Sequence, residues 1–247
     1  PGAFYRSAFE THGGCGKTIR THPELPTAVC LSLVTPDGER TMRTHLGAAA
    51  ALAPSEIAPE DFRGCTHAHV EGYLLFNPDL MCRVLQAAKQ AGCGISVDLA
   101  SFEVVEAARD ILPDLLDRYV DIVFANEEEA AAFAGSNDPG RCLEALHVHC
   151  PTAAVKLGAE GVFLLNGGEA CAVPALPVNE AVDTTGAGDL WAAGFLYGLL
   201  NGRDLPHCGH LGATLGAAVV TRQGAALPES EWQRLRSAFG ADGRPPN

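Results

Sequence analysis

The segment Asp183-Thr184-Thr185-Gly186-Ala187-Gly188-Asp189 gathers the residue types best suited to chemistry in this chain. Its glycines let the backbone turn sharply and come close to a ligand. It leads directly into an apolar stretch, Leu190–Leu200, that reads as a helix. The first N–H groups of a helix have no intrahelical partners and lie at the positive end of its dipole, so the junction suits a phosphate. Asp189 falls in the first turn, beside that anion. Transfer of a phosphoryl group to a hydroxyl needs a carboxylate to take the proton and donors for the developing charge. This segment supplies both. Taken alone, it also reads as a glycine turn with Asp189 as a dipole partner, and context must decide.

The elements that would position it alternate between strand and helix. Pro26–Thr35 (PTAVCLSLVT), the turn Pro36-Asp37-Gly38 and Glu39–Leu46 read as a β-hairpin. Thr66–Val70 reads as a strand, Asn77–Ala91 as a helix and Cys93–Leu99 as a buried strand ending near an Asp. Phe102–Leu116 is expected as one helix, with Pro113 near its end. Val120–Phe124 (VDIVF) has the apolar run of a central parallel strand, and Asn126 would cap a helix through Phe133. Ala153–Lys156 and Gly161–Leu165 are two strands joined by a glycine turn, and from Ala187 to about Ala238 the pattern is mostly helical. Such alternation predicts a mostly parallel sheet with helices on both faces, in a single domain over residues 1–247. The hairpin over residues 26–46 is the candidate cover of a site, and Gly240–Asn247 is expected to fray.

Composition narrows the function. The 247 residues carry a formal charge of −13, which repels nucleic-acid backbones and anionic membranes, and the basic residues are scattered. No nucleic-acid or membrane partner is therefore expected. The nine cysteines show no C-x-x-C pair and read as reduced thiols, which points to the cytoplasm. No apolar run approaches the roughly 20 residues of a membrane span.

Together these segments resemble the ribokinase/PfkB family of carbohydrate kinases. Asp183–Asp189 is similar to its DTxGAGD signature, and Asn126-Glu127-Glu128-Glu129 resembles its N-x-x-E motif. Lys156-Leu157-Gly158-Ala159-Glu160-Gly161 resembles a nucleotide-side K-x-G-x-x-G turn, Pro36–Thr41 a hairpin, and Gly224-Ala225 a late Gly-Ala near the nucleotide. The stretches Gly38–Ala48, Glu71–Leu74, Asp98–Phe102, Tyr119–Gly135 and Asp183–Leu200 are most similar to the bacterial adenosine-kinase-like branch.

The resemblance implies a ribokinase-like three-layer α/β/α sandwich. The family's opening strand with substrate-binding carboxylates and its Gly-Gly signature have no counterpart here, so the fold is expected to lack its first strands and part of its lid. The implied activity is ATP-dependent transfer to a primary hydroxyl of a nucleoside, adenosine first, or of a sugar such as ribose or fructose. An inactive remnant that still binds nucleotide is the alternative.

The implied roles are these. Asp189 is the general base, and Gly186, Ala187 and Gly188 form a backbone anion hole. Asn126 and Glu129 organise Mg²⁺ through water. Lys156, Gly158, Gly161, Gly224 and Ala225 shape the nucleotide groove. Asp183 and Thr185 resemble positions that hold a monovalent cation, K⁺, in some relatives.

Three other signals carry less. Gly13-Gly14-Cys15-Gly16-Lys17-Thr18 imitates the end of a P-loop but has Thr11 where the first Gly belongs and follows a helical pattern. His67 and His69 share a strand face and could meet a metal, yet the histidine spacings make no structural zinc set. Trp191 and Phe195, four apart on a helix, read as core.

Overall fold

The computed structural model describes residues 1–35 and 40–239. The turn Pro36-Asp37-Gly38, with Glu39, and the tail from residue 240 lie outside the described residues.

The chain opens with helix α1 (Gly2–Thr11), followed by a short 3₁₀ turn at Gly16–Thr18, where the P-loop imitation sits. Strands β1 (Val29–Val34) and β2 (Arg40–His45) pair antiparallel as a separate two-stranded sheet. Val29, Leu31 and Leu33 share one of its faces and are exposed.

The main sheet has six strands in sequential order: β3 (His67–Glu71), β4 (Gly94–Asp98), β5 (Ile122–Asn126), β6 (Thr152–Lys156), β7 (Val162–Asn166) and β8 (Glu169–Val173). The first four run parallel, and β7 and β8 add antiparallel strands. Parallel neighbours need crossovers, and helices supply them. α2 (Pro78–Gln90) links β3 to β4, and α3 (Phe102–Ala107) and α4 (Leu112–Tyr119) link β4 to β5. α5 (Glu127–Ala134) and α6 (Pro139–His149) link β5 to β6.

Alternation along each strand divides the core into two layers. Ile95, Val97, Val123, Ala125, Ala153 and Val155 face α2–α6 in one hydrophobic cluster. Ile122, Phe124, Ala154 and Leu164 face the other way. They pack on Trp191 and Phe195 of α7 (Ala187–Leu200) and on Cys208 of α8 (Leu205–Val220). Phe124 meets Trp191 and Phe195 edge-on, with centroids 5.8 and 5.4 Å apart, so the Trp191–Phe195 pair is core as expected. α9 (Glu229–Phe239) closes the described chain.

Two expected elements are corrected. Phe102–Leu116 is not one helix, because α3 ends at Ala107 and α4 begins at Leu112. Pro113 has no N–H to give and its ring would strike the carbonyl four residues back, so the helix restarts with Pro113 in its first turn. The strand expected at Val120–Phe124 runs two residues later. Val120 terminates α4, and Asp121 spends its carboxylate on the Ile95 N–H, 2.8 Å away, before pairing begins. β8 and α6 add to the elements that the sequence pattern predicts. α6 starts from Asp138, whose side chain accepts from the Arg141 N–H at 2.8 Å, with Pro139 behind it.

All nine cysteines are free thiols. Among the described residues no helix is long and apolar enough to cross a membrane.

Candidate active site

In an open α/β sheet, ligands gather outside the carboxyl ends of the parallel strands. Here those ends carry Asp98 on β4, Asn126 on β5 and Lys156 on β6, and the N-terminus of α7 lies against them. Asp98 and Lys156 stand on the strand face that α7 covers.

α7 begins differently from its neighbours. Five helices receive a side-chain cap, from Asn77, Ser101, Asn126, Asp138 and Asp204. α7 starts instead from Gly186 in the left-handed region, φ 79°, with no side-chain cap. No side chain caps its first amides, although the Ala187 N–H donates back to the Thr184 carbonyl at 3.2 Å, and the positive end of the helix faces the strand ends. Asp189 sits in this first turn and is exposed.

The loop before α7 is clasped rather than loose. The buried Asp183 carboxylate accepts from the Thr185 N–H at 2.8 Å and the Thr185 hydroxyl at 2.6 Å through one oxygen. Through the other it accepts from the Gly224 N–H at 2.8 Å. A Cβ on Gly186 would stand 2.7 Å from the Ala225 Cβ, so the anion loop and the Gly224-Ala225 turn touch. Gly224 itself, at φ 84°, has open space where a side chain would be, as does Gly158 at φ 52°. Gly161 is placed otherwise. A Cβ there would run into the Val173 carbonyl, so this glycine lets the β6–β7 turn pack on the end of β8.

Lys156 crosses towards α7. Its Nζ donates to Asp98 Oδ2 at 2.6 Å and lies 3.4 Å from where a Gly188 Cβ would be. The two side chains of this ion pair are only 15% and 13% exposed. In the sequence Asp98 stands out only as the acid at a strand end. Its partner lies 58 residues away, a pairing that spacing does not reveal.

Asn126 and Glu129 form a reciprocal capping box. Asn126 Oδ1 accepts from the Glu129 N–H at 2.9 Å, while the Glu129 carboxylate accepts from the Asn126 N–H and side-chain amide, both at 2.8 Å. Glu129 is buried, and that burial pushes its carboxyl up to about 7. The Asn126 amide and the Lys156 charge oppose the rise, and Asp98 adds to it.

The donors here are oxygens without sulfur or imidazole, the set suited to a hard cation. No group of three or more His, Cys, Asp or Glu residues among the described residues is arranged to cage a metal. That sparse set fits Mg²⁺, which keeps its waters and rests mainly on nucleotide phosphates. His67 and His69, the other metal candidates, both bond the buried Ser96 hydroxyl, at 2.9 and 2.8 Å.

A mostly parallel sheet between two helical layers, with a glycine turn, a first-turn aspartate and a lysine gathered at its carboxyl edge, defines an α/β protein with a ligand site of the open-sheet kind. Comparison with known proteins gives the family. The pfkB family carbohydrate kinase model matches residues 2–232, and the chain belongs to that family.

It is 30% identical over 190 residues to a cytidine kinase from Thermococcus kodakarensis, covering 76% of this chain and 66% of that protein. It is 39% identical over 114 residues to an uncharacterized sugar kinase from Archaeoglobus fulgidus, covering 45% of this chain and 41% of that protein. The solved structure of adenosine kinase from Sinorhizobium meliloti superposes with a TM-score of 0.87 at 34% identity, covering 96% of this chain and 74% of that one. The matched segments thus span less than two thirds of the length of the two curated relatives.

Proposed function

We propose that this chain carries out ATP-dependent phosphorylation of a primary hydroxyl, with a nucleoside as acceptor and adenosine as the first candidate. The observation that carries the reading is Asp189 in the first turn of α7, which has no side-chain cap, with Lys156 against Gly188 of the same turn. Its likeness to a cytidine kinase and an adenosine kinase supports a nucleoside, while its likeness to an uncharacterized sugar kinase keeps a free sugar such as ribose or fructose as the second reading.

In this mechanism the acceptor hydroxyl loses its proton to the Asp189 carboxylate as its oxygen bonds the γ-phosphorus. The bond from that phosphorus to the bridging oxygen breaks, and ADP leaves. The amides of Gly186 and Gly188, with the Lys156 ammonium, face the charge spread over the transferred group, and the Ala187 amide joins them only by leaving the Thr184 carbonyl it bonds at 3.2 Å. Mg²⁺, when bound, neutralises phosphate charge. Asn126 and Glu129 would hold it through water.

The open spaces at Gly158 and Gly224 suit the nucleotide. Asp183 and Thr185, the positions the resemblance links to K⁺, also clasp the anion loop, where the Asp183 carboxylate accepts from the Thr185 N–H, the Thr185 hydroxyl and the Gly224 N–H.

The test is ATP consumption by the purified chain with adenosine, cytidine, ribose and fructose. Saturable turnover on a nucleoside supports the reading. Turnover on a sugar alone moves the acceptor class. ATP binding without turnover on any acceptor favours a nucleotide-binding remnant.

A further inference from the structure

We propose that Asp98 is a positioning residue for nucleotide binding, holding the Lys156 ammonium over the first turn of α7 so that it meets the phosphates already oriented. The proposal rests on the phosphoryl-transfer reading of the site.

The starting point is an electrostatic conflict. The N-terminus of α7 carries the positive end of a helix dipole. Lys156 Nζ lies 3.4 Å from the position of a Gly188 Cβ, within that field. The full charge of the ammonium beside the partial positive charge of the helix end, in a place only 15% open on the lysine side, would drive the flexible lysine outward while no anion is bound. Asp98 removes the conflict with a carboxylate 2.6 Å from the ammonium.

Asp98 is itself fixed. Its Oδ1 accepts from the Ala100 N–H at 3.1 Å, while Oδ2 takes the lysine. Ala100 has φ 69°, the one positive φ outside glycine among the described residues. Backbone conformations of this kind persist where the surroundings hold them, and they cluster at functional sites. The acid is thus held by the turn at the end of β4, and the long lysine side chain is the partner it positions.

An ammonium has three donors. With one given to Asp98, two remain for phosphate oxygens, so nucleotide can bind without breaking the pair. Stability alone explains the pair poorly, because a buried ion pair often contributes little net stability over an apolar replacement. Its place between the strand ends and the anion loop gives it a use.

The test is a double-mutant cycle of Asp98→Asn and Lys156→Met, read both as Kd for ATP by calorimetry and as KM for ATP against kcat. Asparagine keeps the acceptor for the Ala100 N–H, removes the charge and turns an NH2 donor towards the ammonium in place of the oxygen that accepted from it. Asp98→Asn is expected to weaken ATP binding roughly ten- to a hundred-fold, the range of one charge-assisted hydrogen bond, with the acceptor KM unchanged. Lys156→Met should do the same, and the double variant should be no worse than Lys156→Met alone.

Unchanged ATP affinity in Asp98→Asn overturns the proposal. So does an effect that persists in full on the Lys156→Met background, and a persisting effect that shifts the Mg²⁺ dependence would assign Asp98 to the cation instead. Should Asp98→Asn fail to fold, unchanged ATP affinity in Lys156→Met is decisive against it. ATP binding to the unmodified chain without turnover on any acceptor would overturn the kinase reading while leaving the affinity cycle to judge Asp98. An unmodified chain that binds no ATP overturns both.

Discussion

Glu129 should make this protein less stable as the pH rises from mildly acidic to neutral. The carboxyl is 2% exposed, and both of its oxygens accept from Asn126. Burial outweighs those two bonds and lifts its titration from the ordinary 4.5 to about 7. Below pH 4.5 the group is protonated in both the folded and the unfolded chain and has no effect on the balance. Between 4.5 and 7 the unfolded chain gives up the proton while the folded one keeps it. The folded state then binds more protons, and its stability falls with pH until it too ionises near 7.

At about 1.4 kcal/mol for each pH unit between the two values, the loss is on the order of 3 kcal/mol. Glu129→Gln keeps the shape and the acceptor oxygen but cannot ionise. Urea unfolding of both forms, without nucleotide or divalent cation, at several pH values between 5 and 8 isolates the effect. The stability of Glu129→Gln relative to the unmodified chain should climb as the pH approaches 7 and level off above it. A difference that stays flat across this range would refute the buried, proton-holding carboxyl.

Three further perturbations have defined outcomes. Gly186→Ala forces a side chain into φ 79° and against Ala225, so it should cost roughly 1–2 kcal/mol of strain in a thermal melt and weaken ATP binding by displacing the Gly224-Ala225 turn. Asp183→Asn replaces an acceptor of three bonds with a side chain that has one acceptor oxygen. It should cost about 1–3 kcal/mol by chemical denaturation and speed hydrogen exchange at the Gly224 amide. Phe195→Ala opens a cavity beneath Phe124 and Trp191 and should cost about 3–5 kcal/mol in urea unfolding without changing which acceptor is used.

Much of this architecture was legible in the sequence because local rules and tertiary need agree there. Short apolar runs such as Ile122–Ala125 have no polar face, so they must be strands buried on both sides. Asn126 announces its helix because the cap and its Glu129 partner are three residues apart. β8 was harder to see. Its sequence, Glu169-Ala-Cys-Ala-Val173, is largely open to solvent at the sheet edge and offers only weak alternation. The break between α3 and α4 turned on where Pro113 would fall, and a proline near a helix end is equally at home in a first turn.

At the site, residues within one motif were found together. Contacts closed by the fold were not. The Asp98–Lys156 pair and the bond from Asp183 to the Gly224 N–H, 41 residues apart, exist only once the strands are aligned. Gly161 shows the converse, since a motif glycine can answer to packing against Val173 as well as to a ligand.

The most direct test of the central claim is turnover by Asp189→Asn, measured with ATP and the best nucleoside acceptor. The general-base role predicts that kcat falls by roughly 10²–10⁴ while ATP still binds and the fold is kept. Turnover close to that of the unmodified chain would contradict it and leave α7 as an anion-binding helix without a base.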